Sequence, residues 1–155
     1  MSFLLAFAIG VVAGLRSLTA PAVAAWAARL GWIDLSGTPL AFLGSTAAAY
    51  LLLAGMLAEL ATDKLPRTPN RTALGPFVAR VLTGALTGAA VTGGVGRSLA
   101  AGAVLGGLGG IVGTFGGFKA RSGLVRALKV PDYVVAIAED IVAVGGAILI
   151  VRTVS

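Results

Sequence analysis

Apolar residues run almost unbroken along most of this chain, and a few short polar clusters cut it into segments. Ser2 to Leu15 is apolar but covers only about two-thirds of the ~20 residues a spanning helix needs. A second piece, Leu18 to Trp32, follows Arg16-Ser17, with Pro21 near its start, where a proline is tolerated in a first helical turn. The pattern predicts a broken or re-entrant element over Ser2–Gly31, with the break at Arg16–Pro21. An apolar core before Ala20-Pro21-Ala22 also fits a cleaved leader, but no basic residues precede it, which favours the membrane element.

After Ile33–Pro39 come four runs near spanning length: Leu40–Ala61, Phe77–Gly94, Leu99–Phe118 and Tyr133–Val151. Leu65-Pro66-Arg67-Thr68-Pro69-Asn70-Arg71-Thr72 reads as an extramembrane loop. Lys119–Lys129 reads as a basic loop or a short interfacial helix. The fold class expected is an all-α integral membrane protein with about five transmembrane helices, including the broken element, in a single domain over 1–155. Five crossings place both basic segments on one side, cytoplasmic by the excess of Lys and Arg, with the N-terminus on that side and the C-terminus opposite. If Leu18–Trp32 crosses separately, the count and the N-terminal side both change.

Composition agrees. The chain is 57% hydrophobic and only 12% charged, with 23 glycines and 6% aromatics. An average soluble domain is roughly 25% charged. Abundant Gly and Ala suit helices packed closely in lipid. The net charge of +6 would raise nucleic acid as a partner in a soluble protein. Here the basic residues gather in two loops, so orientation in the bilayer accounts for them and no nucleic-acid partner is expected. With no histidine and no cysteine, disulfides, thiol nucleophiles and the usual zinc ligands are absent. No cofactor is expected, and nothing in the sequence points to a particular metal.

An internal repeat is a second expectation. Gly10–Leu30 laid over Gly110–Val130 matches at Gly10/Gly110, Val12/Val112, Ala20/Ala120 and Ala27/Ala127. Each copy runs into a small-residue stretch read as irregular, Ala13–Ser17 and Gly113–Gly117. Each is followed by a span carrying Ala-Glu, at Ala58-Glu59 and Ala138-Glu139. With three crossings between them the copies would be inverted, giving repeat halves 1–75 and 98–155. Gly84-x-x-x-Gly88 and Gly102-x-x-x-Gly106-x-x-x-Gly110 are read as close helix crossings.

The candidate chemistry is acidic. Glu59 and Asp63, four apart, share a helical face. Glu139 and Asp140 lie seven or eight residues into an apolar span, where a carboxylate costs at least ~2.5–3.5 kcal/mol. Arg16, beside Ser17 at the break, is the basic counterpart. Two readings stand. In one, Glu59, Asp63, Glu139, Asp140, Arg16 and Ser17 form a site for an ion, a proton or a small solute. In the other, the acids pair with Arg16, Arg80 or Lys64 and pin helices together. No nucleophile with a paired base is visible, and no Gly-Lys-Ser/Thr phosphate loop follows the glycines, so neither an enzyme nor a nucleotide site is expected.

Gly14-Leu15-Arg16-Ser17-Leu18-Thr19-Ala20-Pro21, Glu59-Leu60-Ala61-Thr62-Asp63-Lys64-Leu65-Pro66, Gly113–Gly117 and Ala138-Glu139-Asp140 together resemble the bacterial family catalogued as domain of unknown function 4126. The resemblance covers nearly the whole chain and implies a small multi-pass protein of the bacterial inner membrane. It brings no activity with it. The functional expectation is a small transporter or channel in the lipid bilayer, homodimeric because one copy has few helices to enclose a path, with a midplane site for a cation or protons. The alternative is a membrane scaffold or partner subunit with structural charge pairs. Lipid chemistry using Lys119–Lys129 is a third reading. A wet cavity at Glu139 favours transport, a dry and fully paired cluster favours the scaffold, and a lateral opening at headgroup depth favours lipid chemistry.

Overall fold

The computed structural model describes residues 1–65 and 70–155. Pro66, Arg67 and Pro69 of the predicted proline loop lie outside the described residues. The fold is all-helical, with no strand among the described residues: α1 (Ser2–Leu15), α2 (Thr19–Arg29), a 3₁₀ turn (Ala41–Gly44), α3 (Thr46–Thr62), α4 (Leu74–Gly93), α5 (Leu99–Leu128) and α6 (Asp132–Val154). Helices α4, α5 and α6 are long and apolar enough to cross a membrane, while α1 and α3 are apolar but shorter.

Local chemistry sets the boundaries. Ser45 caps α3, its hydroxyl accepting from the Ala48 amide at 3.1 Å, and Ser98 caps α5 through the Ala101 amide at 3.3 Å. Lys129, at φ 52°, turns the chain left-handed after α5, and Pro131 then starts α6 with Asp132 in its first turn.

The helix ends fall into two sets. Met1 and Leu5 meet Val95, Arg97, Thr153 and Val154 around one hollow, the Arg152 guanidinium lies 4.4 Å over the Trp32 ring, and Ile33 packs beside Gly94. The start of α1, the end of α2, the α4–α5 turn and the end of α6 therefore share one end of the molecule. The α1–α2 turn, the end of α3, the start of α4, the last third of α5 and the start of α6 meet at the other, through the ion pairs described below. Helices α1 and α2 are ~21 and ~17 Å long, each short of a ~30 Å hydrocarbon core. They form a hairpin that enters from the terminal end, turns inside the protein and returns. The break expected at Arg16–Pro21 is present and narrower, over Arg16–Leu18. Because α2 runs back, the N- and C-termini lie at the same end, which corrects the expectation that they face opposite sides.

Helices α1, α4 and α5 form the tight centre, and glycine makes it possible. A Cβ on Gly10 would overlap the Gly106 carbonyl, one on Gly106 the Gly84 carbonyl, and one on Gly88 the Gly102 carbonyl. Both glycine motifs are close crossings, as their spacing predicts. Along α5, rising numbers meet rising numbers on α1 (Gly10 at Gly106, Gly14 at Gly110 and Gly113) and falling numbers on α4 (Gly84 at Gly106, Gly88 at Gly102). Helices α1 and α5 are therefore parallel, not inverted as the repeat predicts. Nor is Gly113–Gly117 irregular, because α5 runs through it as helix and on to Leu128, taking in most of the predicted basic loop. Tight packing explains the difference: at Gly109, Gly110 and Gly113 the backbones of α1 and α4 come so close that glycine is required, and the helix needs no break to use it.

Candidate functional site

The hairpin tip is where the charges collect. After α1 the chain turns extended at Arg16 (φ −141°, ψ 111°), and this arginine is wholly buried. Its guanidinium pairs with Asp63, the C-cap of α3, and with Asp140 on α6, and lies 3.9 Å from Glu139. One side chain thus ties α1 to α3 and α6.

The next residues bind Glu59. The Ser17 amide and hydroxyl donate to Glu59 Oε1 at 2.8 and 2.7 Å, and the Leu18 amide donates to Oε2 at 2.8 Å. Leu18 is the N-cap of α2 but has no capping side chain of its own, so a carboxylate from α3 satisfies the turn. Gly55, one turn earlier on α3, leaves room for the Leu18 side chain, whose Cδ1 would lie 2.8 Å from an added Cβ.

Around this core sit four more cations. Arg71 clasps Glu139 with two bonds, Nη1 to Oε1 at 2.6 Å and Nη2 to Oε2 at 2.9 Å. Lys64 reaches Asp140 at 2.7 Å. Arg121 touches Asp63 at 3.1 Å and Glu139 at 3.4 Å, and pairs with Asp132. Arg80, on α4 and 4% exposed, stands 3.9 Å from Glu59 and donates to the Arg71 carbonyl at 3.2 Å. Among the described residues, five cations (Arg16, Lys64, Arg71, Arg80, Arg121) meet five carboxylates (Glu59, Asp63, Asp132, Glu139, Asp140), so their charges balance. Neutrality lowers the cost of holding such charges in a membrane protein, provided each is paired. The sixth acid, Asp34, lies apart in the α2–α3 connection, where the Ser36 amide and hydroxyl hold its carboxyl below the usual carboxylate range.

A family model for a domain of unknown function, DUF4126, matches residues 3–153, from the first turn of α1 to the last turn of α6. The chain belongs to that family. No curated protein and no solved structure matches it.

In this DUF4126 chain all six residues singled out in the sequence (Arg16, Ser17, Glu59, Asp63, Glu139, Asp140) come together. Asp63 does not pair with its neighbour Lys64: it binds Arg16 and Arg121, while Lys64 turns to Asp140. The acidic pair sits toward one end of its helix. Glu139 and Asp140 lie ~11 Å along a ~35 Å α6, nearer the end that carries the basic segments.

Arg71, Arg121 and Asp132 were not legible as members. The two arginines read as loop charges that orient the protein, and Asp132 lies just outside the apolar run read as the last span. The signal for Arg121 was its spacing, since Gly113, Gly117 and Arg121 follow one another at i, i+4, i+8 on the face of α5 that packs inward. Gly117 makes space for the pair behind it. A Cβ there would stand 3.0 Å from Arg71 Nη1 and 3.3 Å from Glu139 Oε1.

A cleft of about 240 Å³ between α5 and α6 reaches the network, with Arg121 and Glu139 as the charged residues on a wall otherwise made of Leu15, Leu124, Val135 and similar apolar groups. Among the described residues no group of three or more acids is placed to hold a metal ion.

Proposed function

We propose that the protein is a small membrane transporter or channel whose charge network closes a path at the tip of the α1–α2 hairpin. One observation carries the reading: the non-helical backbone at Arg16–Leu18 follows only ~21 Å of helix, less than a ~30 Å hydrocarbon core, and sits inside a cluster of ten charges that balance among the described residues. Irregular backbone within a membrane is tolerated where it is buried in protein or lines a cavity, and broken helices of this kind supply binding sites in transporters. A network whose ion pairs bridge α1, α3, α4, α5 and α6 is a natural gate, because exchanging pairs moves several helices at once. The cleft at Glu139 and Arg121 gives such a path its approach. The reading involves no catalytic step. It places the protein in the inner membrane with the basic end cytoplasmic and both termini on the far side. A homodimer would cover part of α3, of which only Ala49 is buried.

A second reading rests on an observation of its own. Each of the five clustered carboxylates has a cationic or amide partner, which also describes a purely structural network in a scaffold subunit.

Flux in proteoliposomes separates the two. The native chain is compared with the charge-balanced double substitution Arg71→Gln plus Glu139→Gln, which removes one pair and strands neither charge. Solute-dependent flux in the native protein, altered at least ~10-fold in a double variant that still folds and inserts, supports the path. An absence of flux from both proteins, over a broad panel of ions and small metabolites, moves the conclusion to the scaffold.

A further inference from the structure

The network is balanced in charge but not in hydrogen bonds. Three buried guanidinium nitrogens, Arg16 Nε and Nη2 and Arg80 Nε, have no hydrogen-bond partner among the described residues, against one carboxylate oxygen, Asp140 Oδ1, which is ion-paired with Arg16 but likewise lacks a hydrogen bond. Both arginines are buried, at 0% and 4% exposure. An unmet buried donor costs free energy that an added acceptor recovers. The surplus is therefore for something that accepts.

The place where an acceptor is already held is the hairpin turn. Three donors from two consecutive residues (Ser17 N, Ser17 Oγ and Leu18 N) converge on the carboxylate of Glu59, and Arg80 Nη2 faces the same Oε1 at 3.9 Å, about 1 Å beyond a hydrogen bond. Glu59 is foreign to the turn, reaching it from α3, 42 positions away from Ser17. It fills the turn as a free carboxylate would.

We propose that the Ser17–Leu18 turn with Arg80 is a binding site for a small monovalent anion of carboxylate or halide size, and that Glu59 is its tethered occupant when no anion is bound. An incoming anion takes the three turn donors and draws Arg80 into hydrogen-bonding range, while Glu59 swings out. This assigns the solute class of the transporter reading, on which it rests for its purpose, and replaces the cation expected from the acids alone. The dense pairing of those acids leaves them little to offer a cation.

The site is tested by equilibrium binding, with no need for transport. Purified Glu59→Ala and native protein are heated in detergent against increasing sodium formate, with ionic strength held constant by a bulky sulfonate salt. Glu59→Ala should gain a saturable rise in Tm of about 3 °C or more, as expected for a ligand that binds only the folded state. The native chain, its site already filled, should shift much less. Arg80→Lys added to Glu59→Ala should weaken the formate response about 10-fold. No formate-specific rise in Glu59→Ala, or the same rise in both proteins, overturns the proposal. If Glu59→Ala is recovered only when formate is present during extraction, the site is supported by that dependence. If it is recovered in neither condition, Glu59→Gln, which keeps the shape and loses the charge, is titrated instead, and a flat response there overturns the proposal. Labelled-formate efflux from liposomes then separates the two readings. Saturable binding without flux sinks transport and leaves the site standing, while cation flux without formate binding sinks the site and leaves transport standing.

Discussion

Arg71 and Glu139, 68 positions apart, hold each other by two parallel bonds, Nη1 to Oε1 at 2.6 Å and Nη2 to Oε2 at 2.9 Å. The pair joins the start of α4 to α6 across Gly117 of α5, and both side chains are more than nine-tenths buried. Two-point pairing of this kind fixes orientation as well as distance. Breaking it from one side leaves a buried charge behind.

Glu139→Gln should therefore destabilise the protein by about 3–5 kcal/mol, since Arg71 and Arg121 lose a charged partner. Arg71→Gln plus Glu139→Gln should cost clearly less than the sum of the single changes, with a coupling of about 1–3 kcal/mol. Thermal unfolding of the four proteins in one detergent measures this cycle. Additive single effects would show that the pair does not act as a unit.

Glycine positions along α5 should divide sharply. Gly106→Ala drives a methyl group into the Gly84 carbonyl, backbone that cannot move aside, and should cost about 1–3 kcal/mol or prevent assembly. Gly116→Ala, in the same helix with nothing within 4 Å, should be neutral or stabilise by about 0.5–1 kcal/mol through helix propensity. Equal losses at both positions, read by yield and Tm, would refute the close crossing of α4 and α5.

The hairpin tip should depend on Ser17 in a graded way. Ser17→Ala removes one of the three donors to Glu59 and leaves the two backbone amides, so a loss of about 1 kcal/mol is expected. Glu59→Ala leaves the whole turn unpaired and should cost more than Ser17→Ala in the absence of small anions. The comparison is made in a buffer with a bulky counter-ion, and a reversed order would mean that Glu59 does not cap the turn.

Topology is open to direct labelling, because the chain has no native cysteine. Cysteines placed at Ser2 and Ser155 should react with an impermeant thiol reagent from one side of sealed vesicles, and one at Gly123 or Arg126 from the other. Labelling of Ser2 and Arg126 positions from the same side would restore the five-crossing arrangement with termini on opposite sides.

By itself the sequence determined the class and the cast. Long apolar runs with few charges can form only membrane helices, so α4, α5 and α6 were visible to within a few residues apart from the extension of α5. The cost of charge in hydrocarbon likewise marked Arg16, Glu59, Glu139 and Asp140 as residues that must meet partners. The glycine spacings marked close crossings, because a missing side chain in a helix has few other uses. What the tertiary structure alone decided was direction and partnership. Whether α2 returns or continues depends on which carboxylate satisfies the turn at Ser17–Leu18, and that carboxylate comes from α3. Whether Gly113–Gly117 bends depends on how closely α1 and α4 approach, which composition does not encode. Lys64 lies beside Asp63 in the chain yet binds Asp140, because side chains pair by where the helices cross and by which charges are left buried there.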